Sequence, residues 1–141
     1  IIFVPRELPN RAQYSAFPNL IFPVRGLISS RYGFRWGRMH YGLDLAAPTG
    51  TRVYAAASGK VIFAGWLGSY GLLVKIDHGQ YVTYYGHLSR ILVNRGERVG
   101  QGDPIARVGS TGRAYGSHLH FEVERNGRKL NPVQFLARRD M

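Results

Sequence analysis

The chain contains no cysteine among its 141 residues. That excludes disulfides, cysteine nucleophiles and thiolate metal ligands, so any zinc must be held by nitrogen and oxygen. It does not fix the compartment. Lysine is scarce, at positions 60, 75 and 129, and acidic residues number 8 against 19 basic ones, a net charge of +11. The positive charge is therefore mostly arginine, spread over the chain instead of gathered into one basic block. Such a field attracts anionic surfaces and wall polymers. With no recognisable nucleic-acid-binding motif, a nucleic-acid partner is not expected. No apolar run approaches 18 residues, so no membrane span is expected. Ile1-Ile2-Phe3-Val4, ended by Pro5, is too short for a signal core, and any export signal or anchor is expected upstream of this chain.

Long helices are also missing from the pattern, because 18 glycines and 7 prolines interrupt it. Residues 1–19, with Pro5, Pro9 and Pro18, read as an extended arm or linker end, followed by one compact domain over 20–137 and a short tail at 138–141. Within the domain the pattern is strand and turn. Residues 51–55 and 60–64 flank Ser58-Gly59. Residues 71–77 and 80–85 flank His78-Gly79, a hairpin signal. Short strands are expected at 97–99 and 105–108, and a longer one at 118–125 ends in an Asn126-Gly127 turn. A helical turn is expected only at 133–137. The spacing predicts an all-β domain with mostly antiparallel pairing.

The histidines carry the chemistry. His40-x-x-x-Asp44 lies among glycines, where an extended stretch would put both side chains on one face. His118-x-His120 sits on the alternating strand, so both imidazoles project to one side while Leu119, Phe121 and Val123 project to the other. One of the two can ligate a metal while the other handles protons. His87, after an aromatic strand and Gly86, is either part of this site or a structural histidine satisfied by a backbone carbonyl. His78 at its hairpin turn reads as structural. Two imidazoles and one carboxylate make a three-ligand zinc set with a position left open.

These motifs, in this order, resemble the M23 metallopeptidases, the lysostaphin-type or LytM-like peptidoglycan endopeptidases. The supporting segments are Ser30-Arg31-Tyr32-Gly33-Phe34-Arg35, Gly42 to Gly50, Ala56 to Val61, Gly100 to Ile105 and Thr111-Gly112-Arg113. The resemblance runs from about Leu20 to about Phe135. It implies a compact domain with a zinc-containing groove and one Zn2+ per chain, held by His40, Asp44 and His120. His87 and His118 would be the catalytic pair. The implied reaction is hydrolysis of peptide bonds in peptidoglycan, by a monomer outside the cytoplasm. Relatives that have lost site residues act as hydrolase activators; this chain keeps all five. Glu122 shares the face of His118 and His120 and could orient a ligand ring, or could be a solvated glutamate. Arg113 could meet a substrate carboxylate, and Tyr84 and Tyr32, like Trp36, Tyr41 and Tyr115, could line a groove for an extended peptide. The rival reading is a binding or hydrolase-activating module that cuts nothing. A lipoyl-like carrier, prompted by glycine-rich strands around 99–108, leaves the histidines unexplained.

Overall fold

The computed structural model describes residues 19–136. The arm expected at 1–19, apart from Asn19, and the tail at 138–141 lie outside the described residues. Within them are twelve strands: β1 Leu27–Ser30, β2 Gly33–Arg35, β3 Arg38–His40, β4 Leu43–Ala46, β5 Arg52–Tyr54, β6 Gly59–Trp66, β7 Leu72–Asp77, β8 Val82–Ile91, β9 Arg98–Val99, β10 Pro104–Val108, β11 His118–Arg125 and β12 Arg128–Leu130. Ten of them form one sheet in the order β1-β4-β11-β8-β7-β6-β9, with β10 joining β8 to β5 and β12 added to β11. β2 and β3 form a separate hairpin. Every strand pair is antiparallel. Single 3-10 turns lie at Gly68–Tyr70 and Pro132–Phe135. The all-β expectation holds. Residues 52–54 and 59–66 do not pair with each other: β5 pairs with β10, and β6 with β7 and β9.

Period-two alternation builds the core. Leu43 and Leu45 of β4, and Leu119, Phe121 and Val123 of β11, point inward and are buried with Val74, Ile76, Tyr85 and Leu88. Each large apolar side chain removed from water contributes about 1.5–3 kcal/mol. Because β4 and β11 each bury one face, their partner side chains must appear on the other. The register places His120 opposite Asp44 and His118 opposite Ala46.

The β7–β8 hairpin turns at His78-Gly79 as the sequence indicates, and Gly79 takes φ 108°. His78 is built into this corner. Its Nδ1 meets the Ser58 carbonyl at 2.7 Å, and its Nε2 meets Thr83 Oγ1 at 2.8 Å. Thr83 continues to the Tyr85 hydroxyl, which also accepts the Ala56 N–H.

β8 is not regular. Leu72 pairs with Leu88 and Val74 with Tyr85, so Leu73 faces both Gly86 and His87. This is a β-bulge, and His87 sits in it at φ 61°. Strict alternation would have sent His87 to the core side with Tyr85. The extra residue returns it to the face that carries His118 and His120.

Candidate metal centre and cleft

Three elements supply the candidate ligands. Asp44 comes from the middle of β4, His120 from β11 beside it, and His40 from the end of β3. The expectation of one continuous extended stretch from His40 to Asp44 is not met, because the chain breaks between β3 and β4 at Tyr41-Gly42. Gly42 passes directly over the His120 ring. A Cβ there would lie 2.7 Å from His120 Cε1 and 2.7 Å from the Phe121 carbonyl oxygen. The crossing nonetheless brings His40 Nε2 to 3.2 Å from Asp44 Oδ2, while His120 Nδ1 lies 2.8 Å from Asp44 Oδ1. One ligand atom from each of His40, Asp44 and His120 falls within 4.8 Å of the others.

The outer partners fix which nitrogen faces inward. His40 Nδ1 is hydrogen-bonded to the Arg31 carbonyl at 2.9 Å, which leaves Nε2 as the nitrogen that faces Asp44. His120 is held the other way round, with Nε2 at 2.7 Å from Glu122 Oε2 and Nδ1 turned to Asp44. Two imidazole nitrogens, each ring oriented by a hydrogen bond from its other nitrogen, and a carboxylate oxygen suit zinc in donor type and number. Burial opposes charge on Asp44, yet His120 and His40 hold its carboxyl well below the usual carboxylate range. Burial also opposes charge on His120, and Asp44 with Glu122 overcomes it, raising its pKa to about 9.

His87 and His118 flank this group. Their ring centroids are 4.9 Å apart, and His87 lies 5.8 Å from His120. His118 Nε2 is 3.6 Å from Asp44 Oδ1. His87 Nδ1 bonds the Thr111 carbonyl at 2.8 Å, and His118 Nδ1 the Gly116 carbonyl at 3.0 Å. Both therefore turn Nε2 toward the cleft, that of His118 also facing Asp44. Burial pushes the His87 pKa below its ordinary value.

Thr111 is itself held in place. Its hydroxyl donates to the Leu88 carbonyl and accepts the Leu72 N–H, while Arg113 N–H reaches the Ser69 carbonyl. Gly71 and Gly112 meet so closely here, both at positive φ, that neither could carry a Cβ.

Beneath His120 lies a charged layer that the sequence only partly announces. Glu122 is 3% exposed, not solvated. It accepts from the Tyr70 hydroxyl at 2.8 Å and pairs with Lys129 at 3.0 Å. Lys129 also meets Glu124 at 2.8 Å and stands over the Tyr84 ring. Burial disfavours the Glu122 carboxylate, but His120 and Lys129 prevail and lower its pKa. Lys129 was legible in principle. Asn126 and Gly127 take φ 52° and 77° in a two-residue turn that sets Glu124 opposite Lys129. Tyr70 carries no such signal, since it lies in the 3-10 turn.

The cleft over these groups encloses about 900 Å³ and is lined by the five site residues together with Tyr70, Glu122 and Arg113. Tyr84 and Tyr32 are not part of its lining. Tyr84 is buried with its hydroxyl on Glu124, and the Tyr32 hydroxyl donates to the Lys129 carbonyl.

Comparison with known proteins gives a consistent neighbourhood. The model of Peptidase family M23 matches residues 38–132. The DD-carboxypeptidase/endopeptidase Mpg of Neisseria meningitidis is 46% identical over 114 residues, covering 75% of this chain and 26% of that protein. The murein hydrolase activator EnvC of Escherichia coli is 41% identical over 124 residues, covering 83% of this chain and 29% of that protein. A crystal structure of a zinc containing peptidase from Vibrio cholerae superposes with a TM-score of 0.75 at 36% identity, over 85% of this chain and 40% of that one. The chain thus spans less than half the length of each.

Proposed function

The chain belongs to peptidase family M23, and from that premise we propose that it is a zinc-dependent endopeptidase hydrolysing peptide bonds in peptidoglycan cross-links or stem peptides. The observation that carries this reading is the completeness of the cluster. His40, Asp44 and His120 converge within 4.8 Å, and His87 and His118 meet at 4.9 Å beside them. An activator such as EnvC is also among the relatives, but binding alone gives no reason to hold two further imidazoles with Nδ1 fixed on carbonyls and Nε2 turned to the cleft.

In this reading His40, Asp44 and His120 hold one zinc ion. Bound there, zinc supplies Lewis-acid chemistry, polarising a carbonyl and lowering the pKa of water. His87 and His118 share the remaining work at Nε2: one accepts the proton released by the attacking water and passes it to the leaving amine, and the other, when it carries a proton at Nε2, donates a hydrogen bond to the developing oxyanion. Their Nδ1–H bonds to Thr111 and Gly116 fix the tautomer before substrate arrives. Glu122 orients His120 and balances its charge. Arg113, exposed on the cleft, is suited to a substrate carboxylate. The protein acts outside the cytoplasm as a monomer, drawn to the anionic wall by its +11 charge.

The test is incubation of zinc-loaded protein with purified sacculi, with mass spectrometry of the released fragments. New peptide termini that vanish with a chelator and return with zinc are the expected result. Intact sacculi, with stimulation of an added wall hydrolase instead, would establish the activator reading.

A further inference from the structure

The β2–β3 hairpin sets two like charges against each other. Arg35 and Arg38 are directly opposite in register, an arrangement that costs stability on a sheet. The loop between them is Trp36-Gly37, with φ 52° and 73°. Asparagine or glycine normally occupies the first of these positions. Here a tryptophan does, 96% exposed, so no packing offsets its strained backbone. Arg38 lies two residues before His40 on β3 and therefore shares its face. Both arginines line the cleft, and Arg113 joins them from the loop between β10 and β11.

The charge in the cleft is unbalanced. Its lining carboxylates are Asp44 and Glu122. Asp44 is already shared by His40, His118 and His120, and Glu122 by His120 and Lys129. Among the described residues no carboxylate lies within ion-pair distance of Arg35, Arg38 or Arg113. Among the described residues the Arg35 guanidinium donates to the Ser30 hydroxyl, a neutral partner. Two adjacent guanidinium forks without a counter-ion match the two oxygens of a carboxylate.

We propose that Arg35 and Arg38 form a carboxylate-binding site in the cleft, so that the peptide taken there is an anionic one carrying a free carboxylate. The inference rests on the hydrolase reading for the identity of the ligand as substrate, but carboxylate binding is measurable without turnover.

The test uses synthetic pentapeptides containing one glutamate, in three forms: free C-terminal carboxylate, C-terminal amide, and amide with glutamine in place of glutamate. Affinities for the zinc-loaded protein are measured by calorimetry. Loss of a carboxylate should weaken binding roughly 10- to 100-fold. Whether the first or the second amidation causes the drop tells a chain terminus from an acidic side chain. Arg35→Gln and Arg38→Gln should each remove the preference for the charged peptide and leave binding of the uncharged one unchanged. Their unfolding midpoints should stay level or rise, since a like-charge pair is removed. In turnover assays the variants should raise KM and spare kcat. Equal affinity of the wild-type protein for all three peptides, or an intact preference in both variants, overturns the proposal. Selective binding without cleavage of any peptide or sacculus would instead overturn the hydrolase reading and leave the carboxylate site standing.

Discussion

His120 Nε2 lies 2.7 Å from Glu122 Oε2, two residues along the same strand. The glutamate therefore takes one ring nitrogen and turns the other, at 2.8 Å, to Asp44. An arrangement of carboxylate, imidazole and metal site of this kind fixes the tautomer and raises ligand basicity. Glu122→Gln should weaken zinc binding about 10- to 100-fold, as seen for comparable outer partners. Competition with a chromogenic chelator measures it. Unchanged affinity would remove Glu122 from the site and leave it a buried partner of Lys129.

Gly42 is a second test of how the centre is assembled. A methyl group there meets both His120 Cε1 and the Phe121 carbonyl at 2.7 Å, and a backbone oxygen cannot move aside cheaply. Gly42→Ala should cost about 1–3 kcal/mol by overpacking and should release metal by displacing the His120 ring. Gly65→Ala, whose added Cβ would meet only Phe63 at 3.9 Å, is the matched control. Denaturant midpoints and metal content on both variants decide it. Equal behaviour would mean that the crossing at Gly42 does not position His120.

The sequence exposes those parts of the fold that depend on local chemistry. The His78-Gly79 and Asn126-Gly127 turns, the alternation of β11 and the common face of His118 and His120 all follow from periodicity and turn residues. Three features depend on long-range pairing and leave no periodic trace. The bulge that returns His87 to the site face exists because one residue of β7 meets two of β8. His40 belongs to a different ladder from Asp44, although only three residues separate them. Thr111 meets His87 through a loop contact across 24 positions. In the sequence Glu122 could be placed on the right face, yet its burial depends on Tyr70 and Lys129 closing over it.

The bulge makes a prediction about division of labour. His87 and His118 meet the cleft through Nε2 and lie outside the three-residue cluster at 4.8 Å. His118→Ala and His87→Asn should keep about one zinc per chain and lose turnover by roughly 10²–10⁴-fold. Asparagine is chosen for position 87 because it tolerates the positive φ of 61° found there. The loss then reports chemistry and not backbone strain. Metal analysis alongside steady-state rates separates the cases. Loss of zinc in His118→Ala would mean that His118, not His120, is the ligand from β11. Wild-type rates would take the residue out of the mechanism.

His78 gives a pH dependence that is independent of the centre. Burial lowers its pKa below the unfolded value of 6.5. The hydrogen bonds fit a neutral ring, with Nδ1–H donating to the Ser58 carbonyl and Nε2 accepting from the Thr83 hydroxyl. A group whose folded pKa is depressed binds more protons when the chain unfolds, so stability rises with pH across that interval. The His78 contribution is complete above about pH 6.5 and is lost as pH falls through the lowered folded-state value. Unfolding midpoints of the wild-type protein and His78→Asn, measured from pH 7.5 down to about pH 5, should converge as the pH falls. Every other titrating group is common to both proteins and cancels in the difference. A constant gap between the two curves would show that His78 takes up its proton in the folded protein as readily as in the unfolded chain, and would refute the neutral, hydrogen-bonded corner between Ser58 and Thr83.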